Sequence, residues 1–382
     1  MLTLYKFELR KIISRKIVWI TGGVLLVGLV IWGIASAVLP QNREYSDSSL
    51  NGYAANRAEQ EAAEQISGRA IDQKLIDEMR PAYEDFIFNG NYKEALPYLD
   101  VYNFIGRTLG TQAGAEILVC DSEAFYEKLN AQLEANTPAG LTESISFDEP
   151  IVYHGYFDGW RQIADMMKLI TCMEIMFIAI CLSTVFTVEH TRKTDQVILC
   201  TRLGKKKLYA AKTLAGLTVG VGFTLLLSLL MFGIIAFLYG FDGYDTILQF
   251  VLLRPFNLTV GQAALILVGL SFAGAALISI FTMMLSEVTK NSIATIGIIT
   301  GVLLVTMFIM EMSANLKLLS EIWYLLPSNL VSLNGAFRYS MFHVGGSPLA
   351  AYQYAPIVYL VLAVIFALIG KLTYNRYQIN GR

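Results

Sequence analysis

Long apolar stretches recur along the chain, each bounded by charged or polar residues. A helix rises about 1.5 Å per residue and needs about 20 apolar residues to cross the roughly 30 Å hydrocarbon core of a bilayer. Several charge-free stretches meet this requirement, and one further stretch is apolar except for Glu174. The pattern predicts an all-α membrane protein with six transmembrane helices, over residues 17–39, 166–188, 213–239, 258–284, 292–312 and 352–372.

The overall composition also indicates a membrane protein. Of the 382 residues, 55% are hydrophobic and 16% are charged, and the mean hydropathy of +0.51 is too high for an ordinary soluble domain. The net charge of −2 argues against a nucleic-acid-binding protein, and the low charge content argues against intrinsic disorder. The 4 cysteines show no CxxC spacing, so we expect neither a zinc site nor a disulfide framework.

The distribution of basic residues predicts the orientation in the membrane. Residues 1–16 carry five basic groups and one acidic group, residues 189–212 carry seven and two, and residues 371–382 carry three and none. Short loops rich in lysine and arginine remain in the cytoplasm. We therefore expect both termini in the cytoplasm, including the tail 373–382, and the segment 40–165 outside the plasma membrane.

Residues 1–16 are predicted to form an interfacial helix ahead of an uncleaved first span. At 100° per residue, one arc of the helix is apolar and most of the basic side chains lie outside it. The apolar arc contains Leu2, Tyr5, Leu9, Ile12 and Ile13. The alternative interpretation is that these residues are only the basic flank that fixes the topology.

The segment 40–165 is long enough to form a domain and shows helical spacing. Leu75, Met79 and Tyr83 recur on one helical face, and Asp121 is placed to cap a following helix. The nine basic and 22 acidic residues could attract a cationic peptide or simply keep the domain soluble. The aromatic residues just before the second span are expected to anchor it at the membrane interface. They are Tyr153, Tyr156, Phe157 and Trp160.

The segment 189–212 contains more than a topology-fixing loop needs. An apolar core at residues 197–199 follows Asp195 and precedes a break at Gly204 and a lysine cluster. This arrangement is typical of a short helix that lies on a cytoplasmic surface and meets another protein. The residues that form the pattern are Phe186, Thr187, Val188, Glu189, Lys193, Thr194, Asp195, Cys200, Thr201, Arg202, Leu203, Gly204, Lys205 and Lys212.

In this segment the sequence resembles the membrane subunits of type V (ABC-2-type) ABC exporters. In that family the second span is followed by Phe-Ser-x-Glu, then Gly-Thr, then an apolar run, then Ser-Thr-x-x-Gly-Arg and a lysine. Here Lys193 replaces the usual glycine and Lys205 the usual arginine. The resemblance covers residues 1–39 and 166–382, and some members of the family also insert a domain after the first span.

The resemblance implies a function as the permease subunit of a bacterial exporter. Two permease subunits, identical or different, would form the translocation pathway, and separate cytosolic ABC ATPase subunits would bind Mg-ATP. The permease itself would carry no cofactor and no catalytic residue. The substrate would be a peptide, an antimicrobial or a lipid-like molecule. The residues implied in contact with the ATPase are Glu189, Asp195, Thr201, Arg202, Gly204 and Lys205.

The segment 313–351 is expected to be an outer loop that contains re-entrant or interfacial helices. Its apolar part, residues 321–333, is interrupted by Pro327 and is too short to cross the membrane and return. Irregular backbone is tolerated at membrane depth only where protein buries it. The resembled family has such helices between its last two spans.

Known catalytic motifs are missing from the sequence. No Gly-x-x-x-x-Gly-Lys-[Ser/Thr] phosphate loop occurs, so ATP hydrolysis is expected on another polypeptide. The 3 histidines lie in separate loops without zinc-ligand spacing. Glu174 is a candidate for the translocation pathway because a carboxyl group within a span usually faces a partner or water. It could equally have a structural role beside Lys168.

Two further classes of function remain open from the sequence. A receptor or sensor could bind a ligand through the acidic outer domain and signal through residues 189–212. An ion-exporting permease could use Glu174. A neighbouring gene for an ATP-binding protein would favour the exporter, whereas a neighbouring histidine kinase gene would favour the sensor.

Overall fold

The computed structural model describes residues 2–39, 51–110, 117, 119–137, 145–191, 207–309, 316–338, 341–344 and 347–376. These residues are almost entirely helical, with a short antiparallel β-hairpin near the C-terminal end. The first half of the chain contains α1 Leu2–Ile13, α2 Lys16–Val38, α3 Gly52–Glu64, α4 Gln73–Asn89, α5 Tyr92–Ala95, α6 Leu99–Leu109, α7 Ser122–Ala135, α8 Asp158–Leu182 and α9 Thr184–Thr191.

The second half contains longer helices and the hairpin. Short 3₁₀ turns occur at Leu96–Tyr98 and Leu248–Phe250. The remaining elements are α10 Lys207–Leu238, α11 Val260–Thr289, α12 Ser292–Phe308, α13 Lys317–Tyr324, α14 Pro327–Leu330, α15 Leu333–Ala336, β1 Phe342–Val344, β2 Ser347–Leu349 and α16 Ala351–Arg376.

Several of these helices can cross a membrane. The described residues contain 5 helices that are long and apolar enough: α2, α8 with α9, α10, α11 and α16. Helix α12 is also apolar but has only 17 residues, which corresponds to about 25 Å of rise. The chain is therefore a multi-pass membrane protein, and the sixth span stays a prediction.

Helix α11 lies at the centre of the bundle, against α8, α10 and α16. Small residues allow the close approach of α10 and α11. A Cβ atom at Gly220 would clash with Oγ of Ser279, and one at Gly216 would clash with Sδ of Met283. Close contact through small residues is the usual way in which helices associate where the solvent is hydrocarbon.

The segment between α2 and α8 contains helices that each bury one apolar face, as its spacing predicts. Leu75, Met79 and Tyr83 are fully buried along one face of α4, and the Tyr83 ring stacks on Tyr102 at 3.8 Å. The Asp121 carboxylate caps α7 by accepting a hydrogen bond from the Ala124 backbone N–H at 2.8 Å. Capping by aspartate satisfies a backbone donor that the helix itself leaves unpaired.

This segment packs on the connection between α10 and α11. Phe250 is completely buried there, and its ring stacks on Phe104 at 4.4 Å. Tyr153 and Phe157 also contact Phe250 and are themselves buried. The expectation that these two aromatic residues form a membrane-interface anchor is therefore wrong, because they pack inside the protein. Trp160 donates a hydrogen bond to the carbonyl of Phe241 at 2.9 Å.

The segment after α12 consists of short helices around Pro327, followed by the hairpin. Pro327 is the first residue of α14, where its missing N–H costs nothing. The proline also packs on α11, since a Cβ atom at Gly274 would lie 3.0 Å from Cβ of Pro327. The short helices predicted around Pro327 are thus present and contact the central helix of the bundle.

Candidate functional site

Helix α9 ends beside a group of four charged residues, three of them buried and one half-buried. Oε1 of Glu189 lies 2.6 Å from Nζ of Lys212 and 3.0 Å from Nζ of Lys11. Oε2 of Glu8 lies 3.3 Å from Nζ of Lys212 and 3.9 Å from Nζ of Lys11. The charges alternate around a closed ring, which we call the ion ring: Glu8, Lys11, Glu189 and Lys212.

The ring forms because each helix presents its charge at a fixed position. Glu8 and Lys11 are three residues apart and therefore share one face of α1. Lys212 on α10 is completely buried, donates to the Val185 carbonyl at 3.3 Å and lies 5.5 Å from the centre of the Phe186 ring. Two acidic and two basic groups balance the charge, so no member is left as an uncompensated buried ion.

The ion ring joins three helices at the base of the segment 192–206. Helix α9 leads into that segment at Thr191, and α10 begins after it at Lys207. The other predicted contact residues, Asp195, Thr201, Arg202, Gly204 and Lys205, lie outside the described residues. Glu189 is therefore the predicted coupling residue that lies within the described part of the chain, and it is a member of the ion ring.

The face of α1 that meets the protein includes Ile12 of the predicted apolar arc and also the charged Glu8. Glu8 and Ile12 are buried, whereas Leu2 is 68% exposed and Ile13 is 38% exposed. The pairing of Glu8 with Lys212 joins residues far apart in sequence, so helical spacing alone could not find it. The available signals were an acidic residue in the otherwise basic stretch 1–16 and a lone lysine at the start of an apolar run.

A second polar contact attaches α9 to the central helix. Nε2 of His190 lies 3.3 Å from Oε2 of Glu287 on α11, and Glu287 is completely buried. One residue earlier on α11, the Ser286 hydroxyl donates to the Ser183 carbonyl at 2.6 Å. Together with the ion ring, these contacts hold both ends of α9 to α10 and α11.

Glu174 lies deep in the bundle and is completely buried. Its Oε2 atom accepts hydrogen bonds from the hydroxyls of Thr224 at 2.8 Å and Ser271 at 2.9 Å. Thr171 donates to the same Ser271 hydroxyl at 3.4 Å. The carboxyl group therefore connects α8, α10 and α11, and Ser271 serves it as a hydrogen-bond donor.

The other oxygen of Glu174 has no hydrogen-bond partner among the described residues. No described lysine, arginine or histidine lies within ion-pair distance of the carboxyl group, and the predicted alternative partner Lys168 is not in contact with it. A buried carboxylate without a countercharge is costly in a medium of low dielectric constant. A group left in this condition is a candidate for binding something that the chain itself does not supply.

The described residues include no group of three or more His, Cys, Asp and Glu side chains that could hold a metal ion. The features with functional potential are therefore the ion ring, the Glu174 cluster and the apolar surfaces between the helices.

Comparison with known families supports a transport function. Residues 2–368 match the family described as ABC-2 family transporter protein. Neither the curated proteins nor the solved structures yield a match. The family match covers both polar sites and reaches into the last candidate membrane helix, α16. The family implies a non-enzymatic membrane subunit that works with ABC ATPase subunits. This chain therefore belongs to the ABC-2 family of transporter proteins.

Proposed function

We propose that the chain is the permease subunit of an ATP-driven type V exporter and forms half of a dimeric translocation pathway. Separate cytosolic subunits bind and hydrolyse Mg-ATP. The observation that carries this proposal is the ion ring, which binds α1 to α9 and α10 at the base of the segment 192–206. A force applied to that segment reaches three helices through ionic contacts.

The coupling follows from rigid connection. In the proposed cycle, the ATPase subunits close on ATP and press on the segment 192–206 through Asp195, Thr201, Arg202, Gly204 and Lys205. Helix α9 ends just before this segment and α10 begins just after it, so both helices move with it. Because Lys11 and Glu8 join the same ring, α1 moves with α9 and α10 as one body. Movements of packed helices against each other are a common form of switching.

The segment between α2 and α8 is the extracellular domain in this proposal. It packs on the connection between α10 and α11, at the end of the bundle away from the ion ring. Arg107 donates hydrogen bonds to the carbonyls of Phe250 and Val251 in that connection. Movement of α10 or α11 is therefore transmitted to the outer domain, which can open or cover the pathway beside Glu174.

The function is tested by purification of the tagged chain from its native membranes in mild detergent. We expect an ABC ATPase to co-purify and to hydrolyse ATP when Mg²⁺ is present. Reversal of charge in the coupling segment, Asp195→Lys with Arg202→Glu, should release the ATPase. Lys93→Glu, in the outer segment, is the matched control and should retain it. The absence of any ATPase in the unmodified preparation would contradict the proposal and favour a sensor.

A further inference from the structure

An apolar cavity of ≈ 490 Å³ lies between α8, α11, α12 and α16. Helices α8, α11 and α16 belong to candidate membrane spans, and α12 is a shorter apolar helix. The short helices α13 and α14 border the cavity through Ile322 and Pro327. The volume falls within the range of about 300–1,000 Å³ that is usual for pockets that bind small molecules.

The lining of this cavity offers apolar contact. Ser328 and Tyr359 carry the polar side chains of the lining, and both are engaged within the protein. The Ser328 hydroxyl donates to Thr306 at 2.9 Å, and the Tyr359 hydroxyl donates to the Leu325 carbonyl at 2.7 Å. Apolar cavities of this kind stay dry. Because wall atoms that face a void lose dispersion contacts, a hydrocarbon occupant would stabilise the walls.

The cavity has a buried floor and an exposed rim. Ile299 and Leu303 of α12 form part of the floor and are each 4% exposed. Ile298 and Val302 of the same helix form part of the rim and are 44% and 47% exposed, and Ile322 of α13 is 54% exposed. The cavity is therefore a cleft that opens at the surface of the bundle. Since this surface is apolar and belongs to membrane helices, the cleft opens into the hydrocarbon of the bilayer.

The cleft is elongated along α16. Its lining on this helix runs from Val358 through Leu362 to Phe366, which corresponds to about 12 Å of helix rise. One leaflet accounts for half of the roughly 30 Å hydrocarbon core of a bilayer. An acyl chain of one leaflet therefore has both the length and the chemistry that suit the cleft.

We propose that this cleft binds one acyl chain of a phospholipid from the surrounding bilayer. The acyl chain enters sideways over Ile298 and Val302 and lies along α16, against the floor of Ile299 and Leu303. The head group remains among those of the leaflet, so the site needs no charged partner within the protein. The bound acyl chain fills the space between α12 and α16, two helices that both pack on α11. This site is independent of the proposed export function, because binding needs only the protein in a bilayer.

The test is photolabelling of the purified protein in phosphatidylcholine nanodiscs. The probe is a phosphatidylcholine with a diazirine in the middle of one acyl chain, and mass spectrometry of peptides locates each label. A lipid that only surrounds the protein reaches exposed side chains, such as Leu226 on α10 and Leu360 on α16. An acyl chain in the cleft also reaches the floor, so we expect labels on Ile299 and Leu303. Labels confined to exposed side chains would overturn the proposal.

Tryptophan variants connect the labels to the cleft. Leu362→Trp places a larger side chain in the cleft, whereas Leu360→Trp, at an exposed position outside the lining, is the matched control. Leu362→Trp should lower the labelling of Leu303 at least about tenfold, because a filled cavity has no room for the acyl chain. Val302→Trp fills the cleft from its exposed rim and should have the same effect. Both variants should leave the labelling of Leu226 unchanged, and Leu360→Trp should leave both positions unchanged. Unchanged labelling of Leu303 in Leu362→Trp or in Val302→Trp would overturn the proposal.

Discussion

The Nζ atom of Lys212 lies 2.6 Å from Oε1 of Glu189, and both residues are buried. The two residues stand on either side of the segment 192–206, at the end of one membrane helix and the start of the next. A direct ionic contact at this place holds the end of α9 against the first turns of α10. Glu8 and Lys11 extend the contact to the N-terminal helix.

Removal of the charge at Lys212 should destabilise the protein strongly. Lys212→Met leaves Glu8 and Glu189 buried with one remaining basic partner, Lys11. Loss of one member of a buried ion pair costs about 3–5 kcal/mol, because the remaining charge is left without compensation. Thermal unfolding of the purified chain should show this as a lower midpoint. Lys207→Met, an exposed position on the same helix, is the control and should change the midpoint little.

The hydrogen bonds of Glu174 should distinguish two substitutions of similar size. Glu174→Gln keeps the acceptor for Thr224 and Ser271, whereas Glu174→Leu leaves both hydroxyls facing an apolar side chain. A buried polar group without its partner costs about 1–3 kcal/mol. We expect a clearly lower unfolding midpoint for Glu174→Leu than for Glu174→Gln. Equal midpoints would show that these hydrogen bonds contribute little to stability.

The segment between α2 and α8 should become less stable as the pH rises from about 4 to about 7. Burial, together with the negative charge of Asp158, raises the pKa of Asp100 to about 7, although Tyr153 donates a hydrogen bond to it at 2.6 Å. In the unfolded chain Asp100 releases its proton near pH 4, whereas in the folded chain it keeps the proton up to about pH 7. Between these two values the free energy of unfolding therefore falls as the pH rises.

The substitution Asp100→Asn removes this titration and should flatten the dependence of the unfolding midpoint on pH. Asp77→Asn changes an exposed carboxylate in the same segment and should leave the dependence unchanged. Thermal unfolding at pH 5 and pH 7.5 provides the comparison. If the unfolding midpoint rose from pH 5 to pH 7.5 in the wild type and this rise was absent in Asp100→Asn, the assignment would be contradicted.

The topology should be visible in chemical labelling. With the native cysteines replaced, Glu123→Cys lies in the proposed outer domain and Thr191→Cys lies at the end of α9, and both positions are exposed. A membrane-impermeant maleimide should label Glu123→Cys in intact cells and should label Thr191→Cys only after the cells are opened. The basic residues around position 191 provide the physical reason. Labelling of Thr191→Cys from outside would reverse the orientation.

Local signals made part of this structure predictable. Apolar runs mark the long helices, and the aspartate before α7 marks its start, because both depend on residues near each other in the sequence. The ion ring depends on Glu8 meeting Lys212 across more than 200 residues, and the burial of Tyr153 depends on Phe250. Such contacts follow from tertiary packing, which no short pattern encodes. Glu174 stood out in the sequence, but its hydrogen bond with Thr224 on another helix did not.

The contacts of Lys11 in the ion ring should matter for movement more than for assembly. Lys11 is its most exposed member, and Lys11→Met leaves the pairs of Lys212 with Glu8 and Glu189 in place. The variant should therefore fold and retain the ATPase. The variant loses the contact between Lys11 on α1 and Glu189 on α9. Movement of α9 should therefore be transmitted less well to α1.

The most direct test of the account is the distance between two spin labels in the complex with the ATPase. One label replaces Lys207 at the start of α10 and the other replaces Ile293 at the start of α12, and both side chains are exposed. The account predicts that Mg-ATP with vanadate shifts this distance by a few Å, and that Lys11→Met reduces the shift while ATP hydrolysis continues. An unchanged distance in a wild-type complex that hydrolyses ATP would contradict the claim that a separate ATPase drives this chain.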